Sequence, residues 1–469
     1  MAIGAKPRKK SKKQKETAAH KTARLNREAA VQRAILLGVS VSQANSVNGG
    51  FSSNAGRDLS VNPPAANTGS SLAQFVGDPE TAAPGLGPAA ASAGQLLISE
   101  FRVRGPNGAN DEFIEIYNNS GADHTVADSG GGTGYGIAAS NGVARCVIPN
   151  GTVIPSRGHY LCANSVGYSL ASYPAGNGTT ATADATYTTD IPDNAGIAIF
   201  NTSIAANFTL ANRIDAVGST AEANPLYKEG TGYPALVPFS IDYAFYRDSC
   251  GKAGSITTFG PCTIETPKDT DNNAADFIFV DTNATPAGAG QRLGAPGPEN
   301  LSAPIQRNAS IGNALLDPCV ADASPPNRMR DFTSDPANNS TFGTLDIRRT
   351  FTNNTGGNLT RLRFRIVDLT TFPAPSGIAD LRPRTSTAVV VTVDRAPCGV
   401  GTSNITVQGT TLEQPPSQPN GGGFNSSLSA GTITLATPLP NGATIDIRFL
   451  LGIQQTGSFK IFVNMEALP

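Results

Sequence analysis

The sequence predicts an all-β protein: two immunoglobulin-like β-sandwich domains in tandem behind a basic, partly disordered N-terminal tail. Three observations carry this. Short segments alternating apolar and polar residues recur from about residue 95 to the C-terminal end. Gly, Asn, Ser and Pro punctuate them. With 15% charged and 39% hydrophobic residues, the chain also lacks sustained helical periodicity. At roughly 100 to 200 residues per domain, its 469 residues call for two domains plus tails.

Residues 1–44 form the head. Eleven Lys/Arg and two Glu fall within residues 1–33, which leaves 24 basic and 34 acidic residues in the rest of a chain with an overall charge of −1. So acidic a body is a poor general nucleic-acid binder, and only the head offers nucleic acid a partner. That head has no aromatic residue to stack on a base, and a solvated charge run with some helix over residues 17–38 is its plain reading. Ala34–Val41 followed by Ser42-Gln43-Ala44 has the apolar core and small-x-small site of a secretory signal, behind a positive segment longer than signals carry. A start downstream of Met1 reconciles the two; a short amphipathic turn is the alternative. Residues 45–93, rich in Asn, Ser, Gly, Ala and Pro, read as a flexible linker. No run of eighteen apolar residues occurs, so no transmembrane segment is expected.

The first domain, residues 94–300, opens on a hairpin. Leu97, Ser99, Phe101 and Val103 alternate with Ile98, Glu100, Arg102 and Arg104; Phe113, Glu115 and Tyr117 alternate with Ile114 and Ile116. Gly105, Pro106, Asn107 and Gly108 supply the turn. A hairpin at a sheet edge is expected, with Glu100, Glu112 and Glu115 on its solvated side. ARCVIP, GHYLCANS, GIAIFN, RIDAVGS and DYAFYRD follow as further strands. The second domain, residues 308–469, is expected to build strands from TLDIRRTFTN, LTRLRFRIVDL, TAVVVTVD, SNITVQGTTL, GTITLA, ATIDIRFLLGI and SFKIFVNMEAL. Two Pro-rich stretches, residues 370–386 and 412–427, are expected as projecting loops.

Six cysteines lie in these domains, none in a CxxC pair, which argues against zinc. Proximity favours disulfides between Cys146 and Cys162, Cys250 and Cys262, and Cys319 and Cys398, hence an oxidising compartment; six buried free thiols are the other reading.

ISEF, DEFIEIYN, IPSRGHYLCAN, DNAGIAIFN with RIDAVGS, DYAFYRD, and DTDNNAADFIFV before RLGAPGPEN, in that order over residues 95–300, resemble the lamin tail domain of bacterial secreted and surface proteins. The resemblance implies an immunoglobulin-like sandwich serving as a binding or structural module at the cell surface or outside the cell. It does not extend to filament assembly, because no heptad rod is present. TFTNNTGGNLTRLRFRIVD in the second domain is similar to strand-turn-strand units of bacterial surface modules, with no family identified.

No catalytic motif appears: GxSxG, HExxH and a GK[ST] phosphate loop are absent, and GGGTGYG at residues 130–136 misses dinucleotide spacing. The folded body holds two histidines, His124 and His159, and His159 opens a strand, where a structural role is expected. No catalytic residue and no cofactor are predicted, with Ca²⁺ as the one candidate ligand. Asp269, Asp271, Asn273 and Asp276 place hard oxygens two or three residues apart, as calcium requires, without the Gly and distal Glu of an EF-hand; Asx-turn capping of a strand is the plainer reading. Arg361, Arg363 and Arg365 share one strand face, either to grip a polyanion such as an acidic polysaccharide or as a solvated face paired with carboxylates. The expected function is a non-enzymatic extracellular or cell-surface structural or adhesion protein, with an extracellular protein or polysaccharide as partner. The alternatives are a secreted metal-dependent hydrolase or its carbohydrate-binding accessory, and an intracellular nucleic-acid-associated protein using the head.

Overall fold

The computed structural model describes residues 52–54, 57–59, 94–128, 130–235, 242–248, 267–281, 292–293, 297–368, 379–395, 397–413, 427–457 and 461–469. The basic head, Cys250 and Cys262 lie outside them. Strands in several sheets, with only short helical turns between them, make up the described chain, as the sequence predicts.

Hydrophobic residues gather into two large clusters, one drawn from residues 96–301 and one from 311–467. Around the first, a seven-stranded sheet runs in spatial order through Ala185–Tyr187, His159–Asn164, Phe113–Asn118, Leu96–Arg102, Tyr243–Arg247, Phe277–Asp281 and Arg292–Leu293. Facing it across the core is a four-stranded sheet of Arg213–Val217, Ile197–Phe200, Gly134–Ala139 and Ala144–Pro149. The Cys146–Cys162 disulfide joins a strand of each sheet. The second cluster lies between a five-stranded sheet of Ile305–Gln306, Phe462–Leu468, Arg361–Asp368, Ser427–Ser429 and Thr411–Leu412, and another built on Thr344–Asn353 and Thr444–Gln455. Cys319–Cys398 closes the long connection in this half.

We label Leu96–Arg102 β1, Phe113–Asn118 β2, His159–Asn164 β3, Tyr243–Arg247 β4, Arg361–Asp368 β5 and Phe462–Leu468 β6, because these six strands carry the site. β1 and β2 pair as expected but sit in the middle of their sheet, flanked by β4 and β3, rather than at its edge. Their register corrects the sequence reading. Leu97 faces Tyr117 and Ile98 faces Ile116, after which pairing resumes with Glu100 opposite Glu115. Ser99 is thus the extra residue of a β-bulge, and the side-chain alternation changes phase at it. Leu96 and Ile98 before it, and Phe101 and Val103 after it, all enter the core. Strict alternation would put Ile98 on the same face as Glu100.

Three further expectations change. GTITLA is turn rather than strand, because Thr434 and Thr437 hydrogen-bond locally (Oγ1 to Oγ1, 2.9 Å) and Thr437 Oγ1 donates to Thr432 O at 2.9 Å. Asp380–Arg384, expected as loop, is a strand at its sheet's end, where Pro383 leaves no ladder donor missing; of the second Pro-rich stretch, residues 414–426 lie outside the described residues. Within the expected linker, Ser52–Asn54 and Arg57–Leu59 pair antiparallel.

Candidate functional site

The outer face of the first domain's large sheet carries one cross-strand row: Tyr246, Glu100, Glu115 and Leu161, each directly opposite the next on β4, β1, β2 and β3. Alternation in the second domain sends Leu362, Phe364 and Ile366 of β5 into the core and Arg361, Arg363 and Arg365 to the opposite face. On β6, Glu466 lies opposite Arg363 and Asn464 opposite Arg365. These two polar faces do not meet water. They meet each other, with Glu299 of the connecting segment between them, and Glu100, Glu115 and Glu299 are all 0% exposed, Arg363 and Arg365 2%.

Glu299 is the centre of this seam. Its carboxylate takes Arg363 Nη1, takes Arg365 Nη1 at 3.0 Å and lies 3.0 Å from His159 Nδ1, while its backbone N–H donates to Glu115 Oε2 at 2.6 Å. Arg363 reaches Glu413 through Nε at 2.6 Å and Glu466 at 3.2 Å. Arg365 Nη2 lies 3.5 Å from Glu115 and 3.7 Å from Glu100, donates to Gly297 O at 3.0 Å, and its guanidinium covers the Tyr246 ring at 5.6 Å. Ser99 Oγ, brought round by the bulge, donates to Glu115 Oε1 at 2.6 Å. Tyr117 donates to Gln306 Oε1 at 2.9 Å and Arg363 Nη2 to Pro174 O at 3.4 Å, so both arms of the contact are hydrogen-bonded. Gly176, at φ +77°, passes so close to Arg363 that a Cβ there would sit 2.7 Å from its Cδ.

Five carboxylates, those of Glu100, Glu115, Glu299, Glu413 and Glu466, face two guanidiniums and His159. Burial, then the Glu115 charge, pushes the Glu100 carboxyl well above the usual range; burial, then Glu299, does the same to Glu466. Burial would raise Glu299 too, but Arg365, His159 and Arg363 together hold it below the ordinary carboxylate value. Neither oxygen of Glu100 has a hydrogen-bond partner, which a neutral carboxyl tolerates far better than an anion.

Glu115, His159 and Glu299 bring one ligand atom each within 4.8 Å of one another. They do not fit a metal ion: His159 sets Nδ1 3.0 Å from Glu299 and Nε2 3.6 Å from Glu115, and the guanidinium of Arg365 already supplies the positive charge between the two carboxylates. The adjoining cavity, lined in part by Ser99, Tyr117, His159, Tyr246 and Arg365, measures about 20 Å³, room for one water. A larger groove of about 470 Å³ opens at the same seam between residues 172–180 and the strands of Arg361 and Ser429.

Arg363 and Arg365 are therefore not available to an external polyanion, and Glu100, Glu112 and Glu115 are not solvated. Glu112 is buried elsewhere, accepting from Ile191 N at 2.6 Å and Asn164 Nδ2 at 2.9 Å, and burial lifts its carboxyl to about 8. Arg361 remains half-buried at the groove, with no carboxylate in ion-pair reach among the described residues. His124 is buried against Tyr135 Oη at 3.1 Å.

The acidic loop separates where calcium would need it to converge. Asp276 accepts from Thr270 N at 2.9 Å, Thr270 Oγ1 at 2.7 Å and Asn272 N at 3.3 Å. Asn273 Oδ1 accepts from Gly218 N and Glu229 N, both at 2.9 Å. Asp271 is exposed at φ +54°. Asp269 turns toward Asp215 and Glu229. Glu299 and Glu466, central to the seam, were missed because Glu299 lies in a loop without periodicity and Glu466 is a lone acid in an apolar strand. The one available signal was complementarity: a row of Glu in the first domain and a row of Arg in the second.

Comparison with family models, with curated proteins and with solved structures finds no match for this chain.

Proposed function

We propose that the chain is a non-enzymatic structural or adhesion protein of the cell surface or extracellular space, built from two immunoglobulin-like sandwiches, the first of lamin tail type. The observation that carries this reading is the seam itself: the polar faces of two sheets are buried against each other through Arg363, Arg365 and Glu299. Such a junction holds two domains at one fixed angle, which suits a load-bearing or spacing unit, and its 20 Å³ cavity admits no substrate. The two disulfides among the described residues fit an oxidising compartment, and no described helix is long and apolar enough to cross a membrane.

Ligand binding would fall to the groove beside Arg361. Thr179, Thr180, Ser429 and Thr434 line it with hydroxyls, and Arg361 contributes a guanidinium. Hydroxyls with one cation suit an acidic polysaccharide. Fractionating the native cells and alkylating the protein without reductant tests the reading as a whole. Surface or secreted material with blocked Cys146, Cys162, Cys319 and Cys398 is expected; a cytosolic protein with free thiols would sink it. For the groove, uronate-containing glycans should bind in a salt-sensitive way that Arg361→Gln removes.

A further inference from the structure

The acidic loop leaves one residue, Asp269, unexplained. Its side chain joins a second cluster, in which Asp215, Glu229 and Asp269 each bring a carboxylate oxygen within 4.8 Å of the others. Asp215 is fixed by Ile98 N at 2.6 Å, Ala216 N at 2.9 Å and Arg247 Nη2 at 2.6 Å. Glu229 is held through its backbone by Asn273, which accepts from its N–H at 2.9 Å and donates to its carbonyl at 3.0 Å. One Glu229 oxygen takes Arg213 Nη2 at 3.2 Å; the other, Oε2, is buried without a hydrogen-bond partner in a residue only 7% exposed.

We propose that Asp215, Glu229 and Asp269 bind a hard divalent cation, with calcium the ion of best fit. The orphaned Glu229 Oε2 is the first reason: a buried carboxylate oxygen with no donor is costly, and a cation satisfies it. Charge is the second. Four carboxylates, Asp215, Glu229, Asp269 and Asp276, face two guanidiniums, Arg247 and Arg213, so the cluster holds more acids than cations. Access is the third, since Asp269 is exposed while Asp215 and Glu229 lie beneath it, giving an ion a way in from solvent. The donors are all oxygen, which selects Ca²⁺, Mg²⁺ or Mn²⁺ over zinc and copper. Calcium tolerates irregular ligand sets that magnesium does not. Arg247 sits close enough to weaken binding, so a dissociation constant of about 10⁻⁴ to 10⁻³ M, as in extracellular modules, is expected.

The test uses the full chain stripped of metal with EDTA and titrated with CaCl₂, MgCl₂ or MnCl₂, followed by calorimetry and thermal unfolding. Calcium should bind saturably and raise Tm by several degrees, with Glu229→Gln weakening binding at least tenfold. Asp269→Asn, an exposed change that leaves the fold intact, should weaken it too, whereas Asp271→Asn should not. No binding and no Tm shift with any of the three ions would overturn the proposal. So would a calcium response that survives undiminished in both Glu229→Gln and Asp269→Asn.

Discussion

Glu100 and Glu115 stand directly opposite each other on adjacent antiparallel strands, both fully buried, with Arg365 Nη2 3.7 Å from one and 3.5 Å from the other. Like charges in that register repel. The pair is accommodated because burial, then the Glu115 charge, pushes the Glu100 carboxyl toward its neutral form, while Glu115 is held by Ser99, Arg365 and the Glu299 amide.

The two carboxyls should therefore respond differently to change. Removing the guanidinium with Arg365→Ala leaves Glu115 buried without a guanidinium and Glu299 with that of Arg363 alone, a loss of about 3–5 kcal/mol. Glu100→Gln replaces a neutral acid with a neutral amide and should shift stability by about 1 kcal/mol or less. Urea midpoints measure both. Equal effects would show that Arg365 is not the counter-ion of the seam.

Stability should fall as pH rises from mildly acidic to alkaline. Glu100 and Glu466 are raised in the folded state and Glu112 is raised to about 8, so all three bind protons more tightly folded than unfolded. Their contribution is complete below the unfolded carboxylate value and is lost as pH climbs through the folded values, at up to about 1.4 kcal/mol per pH unit for each group. Glu299, held low, acts in the opposite sense and matters only as pH drops below its unfolded value. Urea unfolding between pH 5 and 9 should show a declining midpoint that Glu112→Gln makes shallower. A rising midpoint across that window would contradict the proton assignments.

Charge reversal at the seam should part the two sandwiches without melting either. With Arg363→Glu and Arg365→Glu together, Glu299, Glu413 and Glu466 face two new anions in place of two cations. Solution scattering is expected to show a larger radius of gyration while far-ultraviolet dichroism keeps its strand signal. An unchanged radius would mean that the junction rests on other contacts.

The disulfides close loops of unequal size, separations of 16 and 79 residues. On the chain-entropy account, losing Cys146–Cys162 costs about 3 kcal/mol and losing Cys319–Cys398 somewhat over 4. Paired Cys→Ala variants compared by chemical denaturation would show whether that order holds.

Much of the strand content was legible, because β2 and β5 alternate and β3 and β4 are short runs bounded by turn residues. What was not legible is what covers a polar face. An alternating strand announces two faces and does not say whether the second meets water or a complementary protein surface, so Glu115, Arg363 and Arg365 read as solvated. The second obstacle was local: a bulge such as that at Ser99 has no compositional mark, so periodicity misassigned Ile98. GTITLA failed for a third reason, since Thr has high strand propensity but also closes hydrogen-bonded turns, and Thr434 with Thr437 does the latter.

Ser99 also fixes how this strand tolerates insertion and deletion. Because it is the extra residue of the bulge, removing it leaves Ile98 opposite Ile116 and Glu100 opposite Glu115 in unbroken alternation, so every flanking side chain keeps its face and only the hydroxyl on Glu115 is lost. Removing a paired neighbour such as Phe101 instead turns one flank of the strand over, so the place where β1 can be shortened without exchanging its faces is the bulge.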